Sequence, residues 1–206
     1  MKVIIATKNK NKIKEISSIL KWKNVQWLSL EDFPNIPPII EDSNSFQGNA
    51  VKKAVTVALQ THCWTIADDS GLEVEYLKGE PGILSARYAG QNATDEENNK
   101  KLLEKMRDAT TRNAEFCCVI AVASPKGRVQ IVEGRCKGRI TDRPIGNFGF
   151  GYDPLFIPEG YNETFAQMSE ETKNNISHRA IALKRVELLW GEIFENELPD
   201  WPLRHK

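Results

Sequence analysis

One segment, IADDSGL at residues 66–72, constrains the fold of this chain most strongly. The apolar run that contains Trp64 and Ile66 is typical of a buried strand, and two carboxylates, a hydroxyl and a glycine follow where the run stops. Ligands of open α/β sheets bind just outside the carboxyl ends of strands, and acidic residues there commonly hold a divalent cation against phosphate. The same residues also favour a turn that closes a hairpin. On these residues alone both interpretations stay open.

The length and the charge balance restrict the class of protein. A chain of 206 residues suits one domain with two lobes, and 28 Lys and Arg against 28 Asp and Glu give no formal net charge. This balance argues against a dedicated binder of nucleic acid or membrane surfaces. The apolar run at Val3–Ala6 is too short for a signal peptide or a membrane helix. Because the four cysteines form no C-x-x-C pair, we expect a reduced, cytoplasmic protein.

Hydrophobic periodicity predicts a mixed α/β chain with one continuous sheet. The segment at Asp68–Asp69 is interpreted as a turn that leads into a partner strand at 72–76, and Asp95 as the N-cap of a helix. A turn at 124–127 is expected to join two long strands. The predicted strands are 2–6, 25–30, 64–67, 72–76, 114–123 and 128–140, and the predicted helices are 13–20, 45–61, 95–106 and 177–195.

A lysine-rich loop follows the first predicted strand. Thr7, Asn9 and Lys12 offer a hydroxyl, an amide and an ammonium at a strand-to-helix junction, which suits a triphosphate. Glu15 lies three residues after Lys12 and can share its side of the helix. The chain lacks the G-x-x-x-x-G-K-[ST] pattern of a P-loop. The alternative is a solvated basic cap in front of an ordinary amphipathic helix.

Three further groups of residues are weaker indications. Glu41 lies in a proline-rich loop before the helix that carries Lys53, so a carboxylate and an ammonium can meet there. The stretch 146–154 places glycines among aromatic residues, which lets backbone and rings approach a flat ligand. His178 and Arg179 begin the last helix, where they can contact a base or a phosphate. Each group also has an ordinary structural interpretation.

Six motifs occur in an order and at a spacing that together are distinctive. They are T-x-N-x-x-K-x-x-E at 7–15, N-A-x-x-K-A at 49–54, A-D-D-S-G-L at 67–72, P-G-I-x-S-A-R-Y at 81–88, F-G-Y-D-P at 150–154 and I-S-H-R at 176–179. With these motifs the sequence resembles the inosine triphosphatase-like pyrophosphatases, also called dITP/XTP or non-standard purine NTP pyrophosphatases. The resemblance covers about residues 1 to 190, and a tail at 198–206 lies outside it.

The resemblance implies an enzyme that hydrolyses ITP, dITP and XTP to the monophosphate and pyrophosphate, with Mg²⁺ as cofactor. It implies a long mixed sheet whose flanking helices form two lobes around a cleft, in a homodimer. Asp69 is implied as metal ligand and proton acceptor, and Glu41 as the second metal ligand. The implied substrate contacts are Thr7, Lys8, Asn9, Lys10, Asn11, Lys12, Lys53, Ser70, Phe150, Gly151, Tyr152, Asp153, Lys173, His178 and Arg179.

Two positions depart from the family pattern. Asn11 stands where members often have glycine, although asparagine tolerates a left-handed backbone well. Gly48 stands where members often have glutamate, which removes one carboxylate.

If the central strand persists through Asp68 and Asp69, their side chains point to opposite faces. Asp69 then pairs with Glu41, and Asp68 is left for a structural hydrogen bond. Two other functions stay open: a pyrophosphatase of modified pyrimidine nucleotides, and a nucleotide- or RNA-binding module without catalysis.

Overall fold

The computed structural model describes residues 1–22 and 24–195 of the chain, so the tail at 198–206 lies outside the described residues. Its main element is a six-stranded mixed sheet with the order β2-β1-β3-β4-β5-β6. β1 pairs in parallel with β2 and β3, and the remaining neighbours are antiparallel. The predicted mixed sheet is confirmed. The strands are β1 Lys2–Ile5, β2 Gln26–Ser29, β3 Trp64–Val74, β4 Asn113–Ala123, β5 Val129–Ile140 and β6 Phe156–Pro158.

Five α-helices flank the sheet in the described part of the chain: α1 Lys10–Ile19, α2 Phe46–Thr61, α3 Asp95–Lys105, α4 Glu170–Ile176 and α5 His178–Glu195. The predicted N-cap of α3 is wrong, because Thr94 and not Asp95 holds that position. The Thr94 hydroxyl accepts the N–H of Glu97, and the Glu97 carboxylate accepts the N–H of Thr94. This reciprocal pair satisfies two backbone donors at once, which a lone aspartate cannot do.

The predicted turn at Asp68–Asp69 and the separate partner strand at 72–76 are wrong. β3 runs without interruption from Trp64 to Val74, and β4 pairs with it along this length. The glycine in the segment has a packing role instead of a turn role, since a Cβ atom on Gly71 would lie 2.4 Å from the carbonyl oxygen of Gly82. The acidic pair therefore lies within a strand and not at its end.

The core lies on both faces of the sheet. One face carries α1 and α5, with Ile16, Leu183 and Ile66 in a common buried cluster. The other face carries α2, whose Ala54 packs in the same cluster as Ala67. Successive residues of β3 thus point to opposite helical layers, as the pleat of a strand requires.

A difference in strand length opens the sheet beside β3. The pairing of β1 with β3 ends at Ile5 and Ile66, while β3 continues to Val74. The carboxylates of Asp68 and Asp69 lie in the part of β3 that β1 leaves uncovered. Within residues 1–22 and 24–195, no helix has the length and apolar character needed to cross a membrane.

Candidate active site

The two adjacent aspartates of β3 lie in different environments. Asp68 meets Lys12 from α1 and Arg179 from α5, whereas Asp69 meets Asn49 and Lys53 from α2. Asp68 and Asp69 therefore point to opposite faces of the sheet, which confirms the prediction from strand alternation. Two charged clusters follow, one on each face.

The cluster on the α2 face contains two carboxylates and one ammonium. Lys53 Nζ lies 3.1 Å from Glu41 Oε1 and 3.5 Å from Asp69 Oδ1. Asn49 Nδ2 donates to Asp69 Oδ2 at 3.0 Å. Asn49 and Lys53 are one turn apart on α2, so both side chains reach the same carboxylate. The ionised cluster keeps one excess negative charge, which suits a cation.

Burial governs the proton affinity of Asp69. The side chain is 11% exposed, and desolvation raises the pKa of Asp69 above its ordinary value, although the charge of Lys53 partly offsets this. Burial alone would lower the pKa of Lys53, but the carboxylates of Asp69 and Asp68 outweigh it and raise that pKa. Asp69 is thus a more basic carboxylate than an exposed aspartate, beside a lysine that stays charged.

The α2-face cluster fits a hard divalent cation shared with a ligand. No group of three or more His, Cys, Asp or Glu side chains in the described ranges 1–22 and 24–195 is placed to hold a metal ion. Glu41 and Asp69 supply carboxylate oxygens, the donors that Mg²⁺ takes, and Mg²⁺ commonly uses one or two carboxylates together with substrate phosphates. The residues therefore fit a cation that binds together with phosphate.

The opposite cluster is a chain of buried ion pairs. Asp68 Oδ2 lies 3.0 Å from both Lys12 Nζ and Arg179 Nη2, and Ser70 Oγ accepts from Arg179 at 2.8 Å. Arg179 also pairs with Glu15, Glu15 Oε1 lies 2.8 Å from Lys173 Nζ, and Lys173 pairs with Asp153. Three cations and three carboxylates balance in this network: Lys12, Arg179 and Lys173 against Asp68, Glu15 and Asp153.

The surrounding cations keep two carboxylates of this network ionised. Burial alone would raise the pKa of Asp68, but Lys12 and Arg179 outweigh it and hold that pKa far below the ordinary value. For Glu15, Arg179 and Lys173 likewise outweigh burial and lower the pKa. Asp153 differs, because burial raises its pKa although the charge of Lys173 partly offsets this. With all three carboxylates ionised, the network is neutral in sum.

The lysine-rich loop before α1 is organised by its own side chains. Asn9 Oδ1 caps the helix by accepting the N–H groups of Asn11 and Lys12 at 2.9 and 3.2 Å. Thr7 Oγ1 accepts the N–H of Asn9 at 3.2 Å. The remaining residues of the predicted phosphate contact, Lys8, Lys10 and Asn11, are exposed. They extend into solvent at the helix N-terminus, where anions are favoured.

The glycine-aromatic loop approaches the ion-pair network. The Phe150 ring centroid lies 4.9 Å from Lys173 Nζ and 5.8 Å from Arg179 Cζ. Asp153 Oδ2 accepts the Phe150 N–H at 2.9 Å, so the ring is tied to the same network. Phe150 is only partly buried, which leaves one flat apolar group beside two cations.

Two of the predicted substrate contacts point into the protein. The Tyr152 hydroxyl donates to the carbonyl of Ser85 at 2.9 Å and is buried. The His178 ring stacks on Phe116 with centroids 4.6 Å apart. Burial, with the charges of Arg179 and Lys173, puts the pKa of His178 well below its ordinary value, so the ring is neutral.

Asn49 was not among the predicted site residues, although its side chain contacts Asp69. Its Oδ1 also accepts the N–H of Ser43 at 3.0 Å, close in sequence to Glu41. The available signal was the first position of the N-A-x-x-K-A motif, an amide one helical turn before Lys53 on an otherwise apolar face of α2.

The fold is an α/β fold with a mixed sheet. Its basic helix N-terminus, its buried cations and the carboxylates of Glu41 and Asp69 together form a site of the class that binds nucleoside polyphosphates. The Ham1 family model matches residues 3–188, and the chain belongs to this family.

Relatives and solved structures agree with this membership. The dITP/XTP pyrophosphatase of Desulforamulus reducens is 48% identical over 90% of this chain and 93% of its own. That of Geobacter sulfurreducens is 46% identical over 93% of this chain and 98% of its own. The structure of the Staphylococcus aureus Ham1 protein has a TM-score of 0.84 at 39% identity, and it covers 93% of this chain and 100% of its own. A HAM1 protein from Coxiella burnetii has a TM-score of 0.85 at 36% identity, with 93% and 99% covered.

Proposed function

We propose that this protein hydrolyses non-standard purine nucleoside triphosphates, namely dITP, ITP and XTP, to the monophosphate and pyrophosphate. It thereby removes deaminated purines from the nucleotide pool. The observation that carries the proposal is the placement of Asp69 beside Glu41 and Lys53 in the uncovered part of β3. The relatives named dITP/XTP pyrophosphatase, which are 42 to 48% identical to this chain, support the substrate class.

The proposed chemical step is attack of water on the α-phosphorus. Asp69 accepts the proton of this water, and the pyrophosphate leaves. Burial raises the pKa of Asp69 while no cation is bound to it, and Mg²⁺ would lower that pKa again, so the role rests on the position of Asp69 in the cluster. Lys53 and Lys12 stabilise the charge that develops on the leaving group.

The triphosphate brings about four negative charges, which need compensation before water can approach the phosphorus. Glu41 and Asp69 would hold Mg²⁺, which supplies charge neutralisation and polarises the phosphoryl oxygens when it is bound. Lys8 and Lys10, at the exposed start of α1, add positive charge outside the balanced ion-pair network. The negative charge of the triphosphate is thus compensated at three places: the cation site, the buried Lys53 and the basic loop before α1.

Selectivity is proposed to come from donors that face the 6-oxo edge of the base. Phe150 provides a flat partner for the base, and Lys173 and Arg179 place N–H donors beside that ring. Adenine presents an amino donor at the same edge, so it would face these cations with a donor and not with an acceptor. Hypoxanthine and xanthine keep the oxygen acceptor, and so does guanine, so this edge separates the substrates from ATP and not from GTP.

The direct test is incubation with dITP, ITP, XTP, GTP, ATP, TTP and UTP in the presence of Mg²⁺, with pyrophosphate and orthophosphate measured separately. Pyrophosphate is expected from the first three, and chelation by EDTA should abolish its release. Orthophosphate as the first product would reject attack at the α-phosphorus. Preference for TTP or UTP would favour the pyrimidine alternative, and binding without turnover would favour a non-catalytic module.

We also propose that the protein acts as a homodimer in the cytoplasm, without nucleic acid or membrane partners. All four cysteines are free, which agrees with a reducing compartment. Sedimentation equilibrium measures the mass of the assembly, and a monomer at micromolar concentration would contradict the dimer.

A further inference from the structure

Gly151, in the loop that carries Phe150, is held by two side chains of α3. Asp95 Oδ2 accepts the Gly151 N–H at 2.6 Å, and Asn99 Nδ2 donates to the Gly151 carbonyl at 3.0 Å. Asp95 and Asn99 are one turn apart on α3, so they face the loop together. One helix therefore binds both the N–H and the carbonyl of a single loop residue.

This loop needs support from outside because its own backbone is permissive. Gly146, Gly149 and Gly151 have φ angles of +89°, +76° and +62°, a region that glycine enters readily. Glycine also loses more conformational freedom than other residues when it is ordered. Without external bonds, a segment of this composition would populate several conformations.

Side-chain packing between the loop and α3 involves Tyr152, which lies in the same buried cluster as Leu102. Beside it, residues of α3 and of the loop line a groove of about 850 Å³. Phe148, in the same loop, is 67% exposed. Asp95, Asn99 and Gly151 are among the residues that line this groove, so their hydrogen bonds join its two walls.

The peptide group that joins Phe150 to Gly151 sets the direction of the Phe150 ring. Phe150 is bonded at its N–H to Asp153 and is joined at its carbonyl side to Gly151, so its backbone is fixed on both sides. In this orientation the ring lies beside Lys173 and Arg179. A rotation of the peptide group between Phe150 and Gly151 would move the Phe150 ring away from these cations.

We propose that Asp95 and Asn99 are positioning residues that determine how tightly the purine base is bound. They act through Gly151 on Phe150, and they leave the triphosphate contacts at α1 and α2 untouched. The proposal rests on the proposed function, because it takes the Phe150 loop as the site of the base. It assigns a role in substrate selection to the first five residues of α3.

The two products of the reaction allow binding at the base side and binding at the phosphate side to be measured separately. IMP reports on the base side and inorganic pyrophosphate on the phosphate side, and calorimetry with Mg²⁺ gives both dissociation constants. Asp95→Ala removes an exposed side chain, so the variant is expected to fold. Its dissociation constant for IMP should rise about tenfold, the effect of losing one charge-assisted hydrogen bond, while that for pyrophosphate should stay within about twofold.

Matched variants distinguish positioning from a general loss of structure. Glu96→Ala removes a carboxylate from the same exposed turn and should bind both products as the unchanged protein does. Asp95→Asn keeps an acceptor oxygen and should recover most of the IMP affinity. Asn98→Ala removes bonds to the backbone of Ala86 and Ala89, so it should lower stability without selective loss of IMP.

The double variant Asp95→Ala/Asn99→Ala tests the shared route through Gly151. Its loss of IMP affinity should be smaller than the product of the two single losses, because both residues hold the same loop residue, Gly151, through its two adjoining peptide groups. Asp95→Ala with unchanged IMP affinity, or with equal losses for IMP and pyrophosphate, would overturn the inference. The proposed function is tested separately by pyrophosphate release from dITP by the unaltered protein, which does not depend on the variants.

Discussion

Asp68 and Asp69 are neighbours in one strand, yet their carboxylates bind cations from helices on opposite sides of the sheet. Asp68 Oδ2 lies 3.0 Å from Lys12 Nζ, and Asp69 Oδ1 lies 3.5 Å from Lys53 Nζ. The first carboxylate belongs to a neutral network, and the second to a cluster with an excess negative charge. The same chemical substitution should therefore have different consequences at the two positions.

Asp69→Asn should abolish turnover and preserve the fold. The amide keeps the shape of the side chain but cannot accept a proton, so kcat for dITP should fall by about 10³-fold or more. The thermal midpoint should be unchanged or higher, because a carboxylate that burial disfavours has been removed. Steady-state kinetics and calorimetric melting measure the two effects, and near-normal kcat would reject Asp69 as the base.

Asp68→Asn should destabilise the protein instead. The Asp68 side chain is fully buried, and its loss of charge leaves Lys12 and Arg179 without their shared counter-ion. Removal of one partner from a buried ion-pair network costs about 3–5 kcal/mol. Urea unfolding followed by circular dichroism measures the free energy. Equal unfolding free energies for Asp68→Asn and Asp69→Asn would contradict the division between the two faces.

Lys53→Met and Lys52→Met form a matched pair on consecutive residues of α2. Lys53 is 9% exposed and lies between Glu41 and Asp69, whereas Lys52 is 40% exposed and pairs with Asp42 at 2.6 Å. Lys53→Met should lower kcat for dITP by about 10²-fold, since a preorganised donor to the transition state is lost. Lys52→Met should change kcat by less than about twofold. Similar losses in both variants would point to a general effect of charge.

Glu15→Gln should change how the free energy of unfolding depends on pH in the acid range. Burial alone would raise the pKa of Glu15, but Arg179 and Lys173 outweigh it and lower that pKa below 4.5. A carboxylate with a lowered pKa stabilises the fold fully above its unfolded value, and this contribution is lost as the pH falls through the folded value. Glu15→Gln should therefore be less stable at pH 7 and should lose less stability between about pH 5 and 3. Urea titrations across this range check the result, with Glu96→Gln on the exposed turn of α3 as control.

The local patterns in the sequence predicted much of the fold. The hairpin at 124–127, the apolar face of α2 and the mixed sheet follow from periodicity and turn residues, and the structure confirms them. The continuity of β3 could not be predicted, because two buried carboxylates are tolerated only where distant cations meet them. Lys12 and Arg179, which compensate Asp68, lie near opposite ends of the chain.

Strand alternation predicted that Asp69 is grouped with Glu41, whereas the contacts of Arg179 could not be predicted. The motifs contain Asp69 and Lys53, Glu41 was predicted from the loop before α2 and from the resemblance, and the structure places all three together. The partners of Arg179 were not predictable, because Glu15 and Asp68 come from two other elements that only the folded sheet brings together. The N-cap of α3 was missed for a local reason: Thr94 and Asp95 are both good caps, and only Thr94 completes a capping box.

The unequal lengths of β1 and β3 leave peptide groups of the central strand facing the opening. In the described part of the chain, the last backbone hydrogen bond between these segments runs from the Ala6 N–H to the Ile66 carbonyl. By alternation, the amides of Asp68 and Ser70 point the same way as Ile66, whereas Asp69 faces β4. Deuterium should therefore enter the strand at every second amide in the free protein. A bound nucleotide that fills the opening should slow exchange at the amides of Asp68 and Ser70 and leave that of Asp69 unchanged. The protection gained on binding should therefore alternate from residue to residue along β3.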